Sequence, residues 1–148
     1  MKKGGIRRMG VAIADQIEGP YVFRPEALTS NKTTIEDGYA FSENGKVFLL
    51  TTHNREGAGY LWTSDDGIHF GDPIAGFDKM DRYLDTKSIP KNSVFRGKKF
   101  ERPQVLMQDG HPTHLYVASG AHINGGKGTH SCVLRIKAPK SAGSDSKR

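Results

Sequence analysis

A chain of 148 residues is the size of one domain, and 35% hydrophobic residues with 18 glycines and 7 prolines make it turn-rich. No apolar run approaches the roughly 20 residues of a membrane-spanning helix, so no membrane partner is expected. The net charge of +6 sits at the ends: Lys2, Lys3, Arg7 and Arg8 supply four charges and the residues beyond Ile136 a net three, which leaves Met9 to Ile136 at −1. A nucleic-acid reader carries its basic residues on a folded face, so that class is not expected either. Cys132 is alone, which excludes an intrachain disulfide and a thiolate metal cluster; it reads as a small buried hydrophobe in a strand.

Residues 1–8 form a basic extension with no apolar stretch of export-signal length behind it. Met9 to Ala14 alternates as a strand and breaks at the turn cluster Glu18-Gly19-Pro20. Ile35 to Phe41 and Lys46 to Thr52 flank Asn44-Gly45, a strong hairpin signal. Tyr60 to Thr63 runs into Asp66-Gly67 and then Ile68-His69-Phe70. Pro103 to Met107 and Thr113 to Ala118 flank Asp109-Gly110, and Ser131 to Ile136 closes the set. No window holds a helical apolar stripe, so the chain is predicted to be all-β. The charged stretch Gly71 to Lys99 reads as a long inserted loop, and residues 138–148 as a disordered tail.

One unit recurs. Glu36 stands nine residues before Gly45, and Glu101 stands nine before Gly110, so the copies are 65 residues apart. In each, the glycine closes one apolar strand and opens a hairpin into the next, Phe48-Leu49-Leu50 or Leu115-Tyr116-Val117. Short repeated β units point to a propeller or a solenoid. Two units cannot close a ring, so the expected architecture is a partial propeller whose uncovered blade edges could join copies into a homo-oligomer.

Gly10-Val11-Ala12-Ile13-Ala14-Asp15 with Gly19-Pro20-Tyr21, Ile35-Glu36-Asp37-Gly38-Tyr39, Ser64 to Phe70, and above all Glu101-Arg102-Pro103-Gln104 with Asp109-Gly110 resemble segments of five-bladed β-propeller glycosidases. The groups are glycoside hydrolase family 43, the related family 117 and the fructan-hydrolysing propellers. The resemblance covers Met9 to Ile136 and implies two to three of the later blades, each a four-stranded antiparallel sheet, in a domain spanning 9–137. It also implies cleavage of a glycosidic bond, with inversion, in an oligo- or polysaccharide. By the same resemblance Glu101 matches the general acid and Asp37 the carboxylate that orients the sugar, while the general base belongs to a blade outside this chain. The chain alone is then expected to be inactive or nearly so. Where family 117 has a histidine before the glutamate, this sequence has Phe100, a departure from that family's proton donor.

Glycosidic cleavage needs a protonated acid beside a carboxylate that stays ionised, and two carboxylates facing one funnel would repel each other's charge. Glu36 and Arg102 are candidate sugar contacts, and Trp62, Tyr39 and Tyr60 offer rings for stacking. His122 lies in a glycine-rich loop where a substrate could approach. The six histidines show no metal-ligand spacing, and no cofactor is expected. Residue type by itself favours solvated strand-end charges at Glu36, Asp37 and Glu101, and Trp62 as core; for the acids the repeat and the resemblance turn the balance toward a site. A sugar-binding remnant without turnover and a self-associating module are the rival functions.

Overall fold

The computed structural model describes residues 4–85, 87, 99–119 and 130–137; His122 and the 138–148 tail lie outside them. The described chain is all-β, with one short 3-10 turn at Met80–Arg82 and no helix long and apolar enough to cross a membrane. Three antiparallel sheets form. β1 (Ala12–Ile13) pairs with β2 (Val22–Phe23); β3 (Ile35–Glu43), β4 (Lys46–His53), β5 (Gly59–Ser64) and β6 (Ile74–Phe77) form a four-stranded sheet; β7 (Glu101–Gln108), β8 (His111–Ser119) and β9 (His130–Arg135) form a three-stranded one. Strands neighbour each other in chain order, and no described sheet closes on itself.

The two hairpins read from the sequence are present. Asn44 and Gly45 have φ of 50° and 75°, and Asp109 and Gly110 have 50° and 79°, the doubly left-handed backbone of a two-residue turn that matches strand twist. The segment expected to be a loop between Gly71 and Lys99 instead supplies β6, the fourth strand of its sheet. The residues Ile-Ala-Gly-Phe carry little strand signal, and pairing with β5 decides the matter. Gly59, on β5, lies so close under the Phe77 ring that no Cβ fits there. Ile68-His69-Phe70 forms no strand; a single bridge joins Ser64 to Phe70 across a tight turn. Met9 to Ala14 pairs only at Ala12 and Ile13, in a two-stranded ribbon that leaves Ile17, Tyr21, Val22 and Phe23 exposed.

Packing explains the middle sheet. Successive residues of a strand point to opposite faces, yet Leu49, Leu50, Thr51, Thr52 and His53 are all buried, so both faces of β4 are covered. On one face Leu50, Phe77 and Met80 pack with Phe100, Val105, Leu115 and Val117 of the three-stranded sheet and its approach. On the other, Ile35, Leu49 and Trp62 pack with Met9, Tyr60 and Phe70. Each fully buried side chain of this size contributes about 1.5–3 kcal/mol. The main contacts between the larger sheets bring β7 against β3 and β4, so the first strands of both sheets share one seam.

Candidate functional site

The seam is built by the repeat itself. Strand pairing slips between Glu36 and Tyr39 in the first sheet and between Glu101 and Gln104 in the second, the same bulge at the same place. At both bulges a non-glycine residue takes a left-handed backbone, Asp37 at φ 57° and Arg102 at φ 53°. Such residues cost about 1–2 kcal/mol each and persist where their surroundings hold them. Ahead of each bulge lies a fully buried anchor, Ile35 or Phe100, so the 65-residue repeat aligns core residue, acid, strained residue and turn.

The bulges touch. The backbone N–H of Arg102 donates to Asp37 Oδ2 at 3.2 Å and to the buried Thr52 hydroxyl, also at 3.2 Å. Tyr39 reaches across the same seam, its hydroxyl donating to the Val105 carbonyl at 3.2 Å. The segment before β7 is docked by Phe100 N–H on the Gly57 carbonyl and by Lys99 Nζ on the Asn54 carbonyl. Asp37 and Glu101 are thereby held on neighbouring strands, with the residue after Glu101 bonded directly to the Asp37 carboxylate.

The three acids differ in what they meet. Glu36 is clamped by the Arg7 guanidinium and by the Asn54 amide, which leaves its carboxylate occupied. Asp37 accepts the Arg102 N–H and is half-buried. Glu101 is buried, 9% exposed, and its carboxyl has no hydrogen bond or ion pair among the described residues. Its oxygens are not among the sealed side-chain atoms, so of the three acids Glu101 has the carboxyl available to a ligand. Arg102 is exposed beside it.

The aromatic expectation is corrected. Trp62 is fully buried, its indole N–H donating to the Thr51 hydroxyl at 3.1 Å, so it presents no ring face for a sugar. Tyr60 packs edge-on against Trp62 and His53, and is committed to the same cluster. Burial pushes the Cys132 thiol up from its ordinary range, as suits a packing residue. Among the described residues no three His, Cys, Asp or Glu side chains gather where a metal ion could be held.

Arg7, Thr52, Asn54 and Lys99 complete the seam and were not singled out in the sequence. A partial signal exists for Thr52: uninterrupted pairing from the Asn44-Gly45 turn sets His53 opposite Glu36, and the bulge moves Thr52 into that place. The others arrive from distant segments and leave no local pattern. No family model, curated protein or solved structure matches the chain.

Proposed function

We propose that the four-stranded and three-stranded sheets are successive blades of a glycosidase-type propeller and that the seam between their first strands is a saccharide site. Glu101 is the proton donor to the leaving oxygen in this reading, Asp37 positions the sugar, and Arg102 binds a hydroxyl. The general base comes from outside this chain. The observation that carries the reading is the juxtaposition at the seam: two matching strained bulges, one bonded to the other, with Glu101, unpartnered among the described residues, between the anchor Phe100 and the bulge. A strained backbone beside an acid that no neighbouring side chain claims is an arrangement that supports a binding site.

The test uses the Arg102 and Thr52 amides as reporters in two-dimensional NMR, titrated with a panel of neutral mono- and oligosaccharides, alongside hydrolysis of aryl glycosides. Saturable shifts at those amides, abolished by Asp37→Ala and Glu101→Gln, are expected. Turnover that disappears in Glu101→Gln identifies an enzyme; with the general base outside this chain, saturable shifts without turnover support the saccharide site and leave catalysis to a chain that carries the base. A panel that leaves the seam amides unmoved sinks the saccharide reading.

A further inference from the structure

On the face of the four-stranded sheet away from the seam, a cleft of about 490 Å³ lies between the N-terminal segment and the Ser64–Phe70 turn. Its size suits a small ligand. Half-buried Val11, Leu28, Ile68 and Phe70 give it an apolar lining, while Arg8, Arg24, Glu26, Ser30 and His69 supply the polar groups.

Both walls are fixed by hydrogen bonds. On one side Asp66 Oδ1 accepts the Ile68 and His69 amides at 2.8 Å each and the Ser64 hydroxyl at 2.9 Å, while Oδ2 takes His69 Nδ1 at 2.6 Å. The His69 ring, and then these amides, hold the Asp66 carboxyl far below the usual carboxylate range, so the hub stays ionised and keeps its acceptors. On the other side the Thr29 hydroxyl accepts the Met9 amide and donates to Asn31, whose own amide group bonds the Arg7 and Thr33 carbonyls. Arg24 N–H and Leu28 N–H tie the same wall to Val11 and Met9.

Against this rigid frame Arg8 and Arg24 form no ion pair among the described residues. Arg8 uses only Nε, in a 3.4 Å bond to the Asn31 carbonyl, and the Arg24 guanidinium has no side-chain partner among the described residues. Glu26 shares the cleft but bridges to neither arginine, and two arginines against one glutamate give the lining a net positive charge. We propose that this cleft binds a small organic carboxylate, its charge taken by Arg8 and Arg24 and its carbon body lying on Val11, Leu28, Ile68 and Phe70. Guanidinium groups suit a carboxylate because their planar forks match its two oxygens, and the apolar lining rewards a carbon body that inorganic anions lack. The acid could be a sugar acid or a plain aliphatic acid, and the shared chemistry is the carboxylate on a compact carbon frame.

The experiment titrates the full chain with glucuronate and with hexanoate, each beside its neutral counterpart, glucose or hexanol, following the Ile68 and His69 amides by NMR. Saturable shifts with an acid and not with its neutral counterpart are expected, and the acid that binds more tightly names the source. Arg24→Gln, an exposed substitution, should weaken binding about tenfold or more, Arg8→Gln likewise, and Glu26→Gln should tighten it. Neutral counterparts that bind as well as the acids, unchanged affinity in Arg24→Gln, or no saturable shift with either acid would each overturn the proposal. Glu101→Gln should leave this cleft's affinity unchanged, so failure here and failure at the seam are read separately.

Discussion

Glu36 and Glu101 occupy the same place in two copies of one structural unit, and their surroundings have made them different groups. The backbone is shared: a buried anchor before the acid, a left-handed residue after it, and a two-residue turn nine positions on. The partners are not shared. Arg7 and Asn54 converge on Glu36, whereas Glu101 is buried with its carboxyl unclaimed among the described residues. A repeat therefore sets where an acid stands, and segments outside the repeat decide whether it serves the fold or remains open to a ligand.

The anchors test whether the two units are alike at their base, and they give the largest expected effects. Phe100→Ala removes a ring from the cluster between the sheets and should cost about 3–5 kcal/mol; Ile35→Ala, on the opposite face, about 2–5 kcal/mol. Urea unfolding measures both. A loss below about 1 kcal/mol at either position would mean that the unit there does not depend on its anchor and that the parallel is one of sequence only.

The acids themselves sharpen the contrast, because the same substitution should act with opposite sign. Glu36→Gln gives up an ion pair that is partly exposed and should lose up to about 1 kcal/mol. Glu101→Gln removes a carboxyl that has no hydrogen bond or ion pair among the described residues, so it should leave stability unchanged or raise it, while abolishing any saccharide response at the seam. Denaturant midpoints of the two variants beside the parent decide it. Equal losses would show that Glu101 is as firmly built into the fold as Glu36.

The sequence carries the repeat plainly, because Asn-Gly and Asp-Gly fix a turn locally and the glutamates keep a constant distance from it. Strand existence was equally legible wherever apolar residues alternate. Four features were not. β6 depends on a partner strand more than on its own residues, as Ala75 and Gly76 show. Trp62 could not be assigned to core or surface until the pairing of Leu49 with Trp62 fixed which face it shares. The bulges were hidden because Asp37 and Arg102 adopt a backbone common in glycine, tolerated by asparagine and aspartate and rare in arginine, and nothing in a linear pattern announces it. Partner choice was least legible, since Arg7 and Glu36 are 29 residues apart.

The smallest effect probes the strained residues, and here the two copies should separate. Arg102→Gly keeps the N–H that Asp37 and Thr52 accept and removes the Cβ that resists a left-handed backbone, so it should gain about 0.5–1 kcal/mol. Asp37→Gly relieves the same strain but deletes the acceptor, and losing that bond, worth about 1 kcal/mol, should cancel the gain. In the double variant, any departure from additivity reports what else the two side chains do for each other. The difference between the two single variants thus measures what the carboxylate does across the seam. Equal gains would mean that Asp37 contributes nothing to the bulge beside it, and the contact would lose its claim to hold the site in shape.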